Sequence, residues 1–344
     1  MTAPAAFSSP EPADHAMVLL LSSQVLRAAL RLGLPDAVGQ DDAVVPAAEL
    51  AARTGTDPAT LLRLLRALAG LGVFRLGGPG ADEVSHTPVS ACLRSGDHGA
   101  VLGQSVVVDE LWDGWSALDE GVRTGECAFS RVHGTDFYSH LAEHDPEASE
   151  AFHAAMTEST EHTNDDLLAA LDLTSARTVV DVGGGRGGLL RDILAKHQHL
   201  HGVLLDTPDV VADALPELRR GGELARRCTV LDGDARYCVP SGADVYLLRL
   251  VLHNWDDDGA ERILRSCAAA VTTPHARVVV VEALCDDGPY AALAGLIDLG
   301  MFVTFGGRER SRADYEALFA RAGLRLTGIT PTPSLHLIEA RRAE

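Results

Sequence analysis

The sequence is short of the residues that mark several large classes of protein. Its six cysteines are scattered, without the close pairs that a disulfide framework or a zinc site requires. No apolar run approaches the roughly 20 residues of a membrane-spanning helix, and the first residues lack the basic region of a secretory signal. Basic side chains are also scarce, because 29 Lys and Arg stand against 49 Asp and Glu, for a formal net charge of −20.

These shortages argue against several partners and compartments. A strongly acidic chain is repelled by nucleic acid and by anionic membrane surfaces. Unpaired thiols are typical of the reducing cytosol. We therefore expect a cytoplasmic protein with no nucleic-acid partner, no membrane partner and no bound metal.

Length and composition suit two domains with buried cores, since the chain has 344 residues and is 46% hydrophobic. Residues 1–13 combine Pro, Ser, Ala and acids, and we expect a disordered tail there. Residues 14–110 read as helix, turn, helix, strand and turn, the outline of a winged helix, with one short helix predicted over Val45–Ala52. Residues 111–172 predict a helical connector.

The pattern changes at residue 173, after which short apolar strands alternate with helices. This alternation is typical of βαβ units and predicts an α/β fold with a parallel, doubly wound, Rossmann-like sheet over residues 173–344. Two further strands are expected at the sheet edge within Leu324–Ala340. The predicted helices between the strands are Leu189–His197, Asp209–Arg219 and Gly259–Val271.

A glycine-rich turn follows the first of these strands and reads Asp181-Val-Gly183-Gly-Gly185-Arg-Gly187. Glycines let the backbone turn tightly and approach a ligand closely. The spacing differs from the dinucleotide fingerprint, yet Asp206 ends the next strand where a carboxylate can accept hydrogen bonds from ribose hydroxyls. The pattern predicts a nucleoside-bearing ligand. A glycine-rich turn without a ligand is the alternative.

The run from Asp244 to Asp257, which contains His253-Asn254-Trp255-Asp256-Asp257, is more specific. It resembles the signature of the plant-type, caffeate O-methyltransferase-like family of small-molecule O-methyltransferases, including the bacterial branch that modifies natural products. The helical N-terminal region, the glycine-rich turn and the segment Gly306-Gly307-Arg308-Glu309-Arg310 come in that family's order. The resemblance covers nearly the whole chain.

This resemblance implies both an activity and a set of partners. It implies a class I methyltransferase domain that binds S-adenosylmethionine, a winged-helix dimerisation domain and a homodimer, with no metal. The expected reaction methylates a hydroxyl of a small aromatic natural product, such as a polyketide or a phenazine. Residues 111–172 would contribute to the acceptor pocket.

The resemblance also implies roles for individual residues. His253 would be the general base, with Glu282 and Glu309 flanking this histidine. The residues implied to contact the cofactor are Asp181, Gly183, Gly185, Asp206, Asp234, Ala235, Arg249 and Trp255. The residues implied to contact the acceptor are Phe152, Met156, Asn254, Met301 and Thr304.

The chemistry of these side chains agrees with such a reaction. A phenol has a pKa of about 10, so it is mostly protonated at neutral pH, and its oxyanion is the better nucleophile. A histidine with a pKa of about 6.5 can take that proton as the reaction proceeds. A neighbouring carboxylate fixes the imidazole tautomer and raises its basicity.

Each assignment has a plainer alternative. His253 could cap or pack a helix, Glu282 could be a strand-end carboxylate in solvent, and Glu309 could belong to a solvated charged run. Asp234 could merely cap a turn, and the apolar candidates could be ordinary core residues. The family's usual Asp is replaced by Asn254, and its usual polar residue by Leu250, so local contacts there are open.

Two other functions stay open at this point. Some members of the family keep the fold and the cofactor but perform hydroxylation, decarboxylation or pericyclic chemistry. A winged helix can also belong to a DNA-binding regulator. The candidate recognition helix Ala59–Leu71, however, is mostly leucine and alanine with two arginines, in a strongly acidic chain, where a DNA reader should carry a basic patch.

Overall fold

The structure is a computed structural model that describes residues 11–95, 108–150, 152, 156, 163–287, 291 and 293–343. It divides into two compact units, residues 1–112 and 113–344, which are described separately. Most of the predicted tail, residues 1–10, lies outside the described residues, and a helix already begins at Pro12. No helix among the described residues is both long and apolar enough to cross a bilayer.

Where it is described, the first unit combines helices with a small antiparallel sheet. Its core is built on leucines of two consecutive helices, Leu50, Leu61, Leu65 and Leu68. The elements are α1 (Pro12–Arg31), α2 (Leu34–Val38), β1 (Val44–Pro46), α3 (Ala47–Thr54), α4 (Pro58–Gly70), β2 (Phe74–Gly77), β3 (Glu83–His86) and α5 (Pro88–Ala91). The strand order is β1-β3-β2. This arrangement confirms the predicted pair of helices followed by strands.

One detail of that prediction is wrong. The short helix expected over Val45–Ala52 is a strand for its first residues, because β1 pairs with β3 from Val44 to Pro46. Pro46 has an extended backbone at the N-cap of α3, so the helix begins at Ala47. A proline has no N–H to donate, and it suits an edge strand that ends where a helix starts.

Residues 108–170 are mainly helical where they are described. Glycines in the left-handed conformation, Gly125 and Gly134, end two of the helices. The helices are α6 (Asp109–Ser116), α7 (Leu118–Thr124), α8 (Ala128–His133), α9 (Phe137–His144) and α10 (Asn164–Ala170).

The rest of the second unit is a seven-stranded sheet with order β6-β5-β4-β7-β8-β10-β9. The first five are parallel, and β10 and β9 are antiparallel at one edge. The strands are β4 (Thr178–Val182), β5 (His201–Asp206), β6 (Cys228–Asp232), β7 (Val245–Arg249), β8 (Arg277–Glu282), β9 (Leu324–Pro331) and β10 (His336–Arg342). The helices are α11 (Gly188–Lys196), α12 (Pro208–Val211), α13 (Asp257–Ala270), α14 (Ala294–Phe305) and α15 (Arg312–Arg321). The predicted α/β class and the edge strands are confirmed.

The helix predicted over Asp209–Arg219 is wrong beyond its first turn. Only α12 is helical, and the following residues form turns. Pro216 disfavours the helical conformation of the residue before it. The N–H of Leu215 donates instead to the carbonyl of Arg186, at 2.9 Å, which ties this segment to the glycine-rich turn.

Apolar side chains cover both faces of the central strands, so these strands are buried on both sides. Polar residues are therefore confined to the strand ends. The carboxyl ends of β4, β5, β7 and β8 meet at one edge of the sheet, and that edge is where ligands bind in open α/β sheets.

Candidate active site

The glycine-rich turn after β4 leaves open space beside its backbone. Gly183 and Gly185 have φ angles of +69° and +61°, which side-chain-bearing residues rarely adopt. A Cβ at Gly183 would lie 2.8 Å from Val251 Cγ2, whereas one at Gly185 would meet no atom within 4 Å. The N–H of Gly185 donates to Asp206 Oδ2 at 2.8 Å, so the turn and the end of β5 are joined.

Two buried groups of opposite charge lie beneath this turn. Asp181 is 1% exposed, and its Oδ2 has no hydrogen-bond partner. Burial raises the pKa of Asp181 to about 7, with Arg249 opposing the rise and Asp206 adding to it. Burial lowers the pKa of Arg249 to about 10, although Asp181 and Asp192 oppose that change.

Arg249 is held by the residues at the start of α10. Its guanidinium donates to the side-chain oxygens of Asn164 and Thr163. Asn164 in turn donates to Asp192 Oδ2 at 2.6 Å. Arg249 is thus fixed by its neighbours, while the buried Oδ2 of Asp181 has no hydrogen-bond partner.

Asp234 is engaged by an arginine that the sequence analysis did not single out. Arg236 donates to both carboxylate oxygens of Asp234, at 2.6 to 3.0 Å, and this hydrogen bonding lowers the pKa of Asp234. The guanidinium of Arg236 also lies over the ring of Trp255, 4.4 Å from its centroid. Ala235 packs against the core beside them. The structure therefore brings Asp234 and Trp255 together through Arg236.

His253 stands in a 3₁₀ turn, Leu252–Asn254, that follows β7. Its Nδ1 lies 2.9 Å from Glu309 Oε1. Burial alone would lower the pKa of His253, but the hydrogen bond to Glu309 and the charges of Glu282 and Glu309 outweigh it, so the pKa is raised above 6.5. A proton on Nδ1 that is shared with Glu309 leaves Nε2 as the nitrogen that can accept another.

Glu282 lies under the turn and not beside the imidazole. Its Oε1 accepts the backbone N–H groups of Val251, Leu252 and His253, at 3.1, 2.7 and 3.2 Å. Its Oε2 accepts the hydroxyl of Tyr315. Glu282 therefore contacts His253 through its backbone and not through its ring, because the strand end points this carboxylate at the main chain. Its charge still contributes to the raised pKa of His253.

Glu309 is buried, at 6% exposure, so the solvated alternative does not hold. Its N–H donates to Asp298 Oδ1 at 2.8 Å. The residues before Glu309 pack against the segment 250–255 around His253, which we call the histidine turn. The N–H of Arg308 donates to the His253 carbonyl at 2.9 Å. A Cβ at Gly307 would come within 2.0 Å of that carbonyl oxygen. Only glycine, which has no Cβ, lets the two backbones come this close.

Phe152, one of the candidate acceptor residues, belongs to a group of aromatic side chains. Phe152 packs edge to face against Phe137, which does the same against Phe305, with ring centroids 4.9 and 5.5 Å apart. Tyr138 stacks on Phe305 at 5.4 Å. Met301 and Thr304 belong to α14, the helix of Phe305, and Met156 is a half-buried helical residue. The sequence analysis missed Phe137, Tyr138 and Phe305, whose spacings alone do not separate a pocket from a core.

The two departures from the family pattern are both in the histidine turn. The side-chain amide of Asn254 donates to the carbonyl of Leu250 at 3.3 Å, so it caps the turn. Leu250 has a φ of +53°, an unfavourable conformation for a leucine. Among the described residues, no group of three or more His, Cys, Asp or Glu side chains could hold a metal ion.

Two family models match the chain. The O-methyltransferase domain model matches residues 115–325, and the O-methyltransferase dimerisation domain model matches residues 15–96. The chain therefore belongs to this O-methyltransferase family, as its sequence signature predicted.

Individual proteins are similar over almost the whole chain. The O-demethylpuromycin-O-methyltransferase of Streptomyces alboniger is 39% identical, over 96% of this chain and 92% of that protein. The structure of the mitomycin 7-O-methyltransferase MmcR has a TM-score of 0.85 and 36% identity, over 97% of this chain and 98% of that one. The O-methyltransferase NcsB1 from neocarzinostatin biosynthesis was solved in complex with S-adenosylmethionine and 2-hydroxy-5-methyl naphthoic acid. Its TM-score is 0.80 and its identity 32%, over 97% of this chain and 100% of that one.

Similarity also extends to a protein with another activity. The aclacinomycin 10-hydroxylase RdmB of Streptomyces purpurascens is 33% identical, over 92% of this chain and 86% of that protein. Family membership therefore does not by itself decide every chemical step.

The geometry of the histidine pair predicts the effect of Glu309→Gln on the pKa of His253. The substitution removes a negative charge and an ionic hydrogen bond at Nδ1, so the pKa of His253 should fall. NMR titration of the ring, assigned by the signal that is lost in His253→Ala, measures it. Glu316→Gln is the control, because Glu316 is exposed on α15 and pairs with Arg312. A pKa that is unchanged or raised in Glu309→Gln would contradict the assignment of this pair.

Proposed function

We propose that this O-methyltransferase methylates a hydroxyl of a small aromatic natural product from S-adenosylmethionine, with His253 as the general base. The observation that carries the proposal is the 2.9 Å contact between His253 Nδ1 and Glu309 Oε1. It occurs at the same sheet edge as the glycine-rich turn. The family supplies the reaction class, and the roles of the individual residues are our proposal.

The residues at the sheet edge fit the parts of S-adenosylmethionine, a molecule with a methionine end that carries an ammonium and a carboxylate, a sulfonium, a ribose and an adenine. The unsatisfied oxygen of Asp181 suits the ammonium, and the open space at Gly185 admits a ligand close to the backbone. Asp206 would hold the ribose. The ring of Trp255, with Asp234 and Ala235, would border the adenine. When bound, the cofactor supplies an electrophilic methyl group on its sulfonium.

Gly183 and Arg249 would complete this cofactor site. Gly183 keeps the turn tight against Val251, and a larger residue would displace it. Arg249 holds α10 through Thr163 and Asn164. We therefore assign Arg249 to the edge of the site near Asp181.

The proton of the acceptor hydroxyl would be transferred to His253. Nδ1 is occupied by the hydrogen bond to Glu309, so Nε2 would accept the proton of the acceptor hydroxyl. The imidazolium that results is stabilised by the buried carboxylate of Glu309. The oxygen of the acceptor becomes a better nucleophile as the proton leaves, and no metal is needed for this step.

The acceptor side would be formed by the aromatic group and by α14. Flat, polarizable walls made of Phe152, Phe305, Met156 and Met301 suit an aromatic ring. Asn254 and Thr304 would supply polar contacts near the hydroxyl. We propose that residues 111–172 contribute to this pocket and that residues 173–344 form the catalytic domain.

The alternative is a reaction other than methyl transfer, which the similarity to RdmB keeps open. The paired His253 and Glu309 favour methyl transfer, because their geometry suits the removal of a proton from a hydroxyl.

We also propose that the chain forms a homodimer through residues 14–110. The dimerisation domain model covers most of this range. Helix α1 exposes consecutive apolar side chains, with Leu19, Leu20 and Leu21 at 63%, 76% and 55% exposure. A run of this kind marks a protein interface, and a second copy of the chain would cover it.

Cofactor affinity tests the assignment of Asp206. Asp206→Ala should weaken S-adenosylmethionine binding by about 1–3 kcal/mol, because charge-assisted hydrogen bonds to the ribose are lost. Asp232→Ala is a matched control, since Asp232 also ends a strand, pairs in register with Asp206 and is exposed. Calorimetry measures both affinities. Equal affinity for Asp206→Ala and the wild type would remove Asp206 from the site.

The oligomeric state of variants tests the role of α1. Leu20→Glu should give a monomer at micromolar concentration, because a charge would be buried in an apolar interface. Val122→Glu changes a similarly exposed side chain outside residues 14–110 and should leave the dimer intact. Sedimentation velocity distinguishes the two states. A wild-type monomer, or a Leu20→Glu variant that remains dimeric, would refute the proposed interface.

The base is tested by His253→Ala. Turnover of a phenol that is un-ionised at the assay pH should fall by about 10²–10⁴-fold, the usual contribution of a positioned base. Cofactor affinity should stay near that of the wild type. A more acidic acceptor should lose less activity, because much of it is already ionised. His275→Ala, an exposed histidine that precedes β8 at the opposite sheet edge, is the control.

Two results would point elsewhere. Wild-type turnover of an un-ionised phenol by His253→Ala would rule out the general base. Formation of a hydroxylated or decarboxylated product by the wild type, seen by mass spectrometry with isotopically labelled cofactor, would support the alternative chemistry.

A further inference from the structure

Arg310 is the largest side chain that the described residues bury completely, and it lies directly after Glu309. Its guanidinium donates to the carbonyls of Leu252 and Trp255, each at 2.9 Å. It also pairs with Asp257 Oδ1, through Nε at 3.1 Å and a terminal nitrogen at 2.9 Å. One planar group therefore reaches the backbone on both sides of His253.

The main chain at Arg310 is fixed as well. Its carbonyl accepts the N–H of Cys285 at 3.2 Å, and Arg310 forms a bridge with Leu284 in the segment after β8. Glu309 is therefore attached to a residue that is held at both its backbone and its side chain. The carboxylate that contacts His253 has little freedom to move.

The histidine turn is thus held through both kinds of backbone group. The carboxylate of Glu282 accepts three of its N–H groups. The guanidinium of Arg310 donates to two of its carbonyls. We propose that Arg310 is a positioning residue, which acts on the reaction by fixing the His253 turn against Glu309. This inference rests on the proposed general-base function.

The plainer reading is that Arg310 only stabilises the fold, as a buried ion pair. That reading does not need both carbonyls, because Asp257 alone would pair the charge. Arg308 and Arg321 also approach Asp257, at 3.5 and 3.6 Å, but from partly exposed positions. Among these three guanidinium groups, the contacts to the Leu252 and Trp255 carbonyls are made by Arg310.

Arg310→Lys is the sharpest variant, because it keeps the charge but loses the planar fork that spans the two carbonyls. Turnover of an un-ionised phenol should fall by about 10- to 100-fold, the effect of a displacement of roughly 1 Å at a reacting group. The acceptor KM and the cofactor Kd should change by much less. Turnover of an acidic, already ionised acceptor should change little, because that acceptor does not need the base.

Arg321→Gln is the matched control. It removes another guanidinium from Asp257 without touching the turn, and it should behave like the wild type with both acceptors. If Arg310→Lys fails to fold, as judged by circular dichroism and thermal unfolding, Asp257→Asn replaces it. Asp257 is 39% exposed and anchors Arg310, so its variant should show a smaller loss with the same dependence on acceptor acidity.

Several outcomes would overturn the inference about Arg310. These are wild-type turnover by Arg310→Lys, an equal loss with both acceptors, and a proportional loss of cofactor affinity. The failure of the base proposal is distinguishable from them. If His253→Ala shows no dependence on acceptor acidity, the base assignment is wrong. If only Arg310→Lys lacks that dependence, the base stands and Arg310 is merely structural.

Discussion

Three consecutive backbone N–H groups converge on one oxygen of Glu282, and the geometry of the site depends on this interaction. The chain leaves β7 through Leu250, whose φ is positive, and then forms a single 3₁₀ turn. Such irregular backbone cannot pair with a neighbouring strand, yet its polar groups lie where burial makes unpaired groups costly. A buried carboxylate at the end of the adjacent strand satisfies them together. The position of His253 is then set by the main chain, before its ring makes any contact.

Burial also determines which charges at this edge are available to a ligand. The two carboxylates near His253 are both engaged by hydrogen bonds through at least one oxygen. Asp181 is as deeply buried as Glu282 and, like Glu309, has one buried oxygen without a hydrogen-bond partner. Its pKa of about 7 shows the cost of ionising it without a further cation. A cationic group of a ligand beside the glycine-rich turn would lower that cost, as we propose for bound S-adenosylmethionine.

The fold and the residues at the strand ends could be predicted from the sequence, because both follow from the local pattern of apolar and polar residues. Alternating strands and helices predict a parallel sheet, and the last polar residue of a buried strand must lie at its edge. Asp206 was found in this way, whereas the roles of Asp181 and Glu282 came from the resemblance to the family. What each carboxylate touches depends on where a side chain points, and the pattern does not contain that information. Glu282 therefore proved to hold backbone amides.

Other contacts could not be predicted from the sequence, because they join segments that are far apart in the chain. Tyr315 bonds to Glu282 across 33 residues, and Arg310 to Leu252 across 58. In the sequence, Arg310 is one member of a charged run that resembles a solvated surface. The signal that could have distinguished it is Gly307, since a glycine at the end of a long apolar helix often marks a close approach of two backbones. Arg236 had no comparable signal, because an Asp two residues before an Arg is common in loops.

The contacts of the histidine turn fall into two groups that act on different atoms. Glu282, Arg310 and the N–H of Arg308 bind the backbone of the turn, and removing any of them would move the ring as a whole. Glu309 binds the imidazole itself, so among these groups it determines the tautomer and makes the one hydrogen bond to the ring that raises its pKa. The framework that places a residue at this position is therefore separate from the pair that makes this residue a base. A chain could keep the framework and the cofactor edge while losing the base, and such a chain would retain the fold without the same chemistry. That separation is compatible with the 33% identity between this chain and the aclacinomycin 10-hydroxylase RdmB, a protein with another activity.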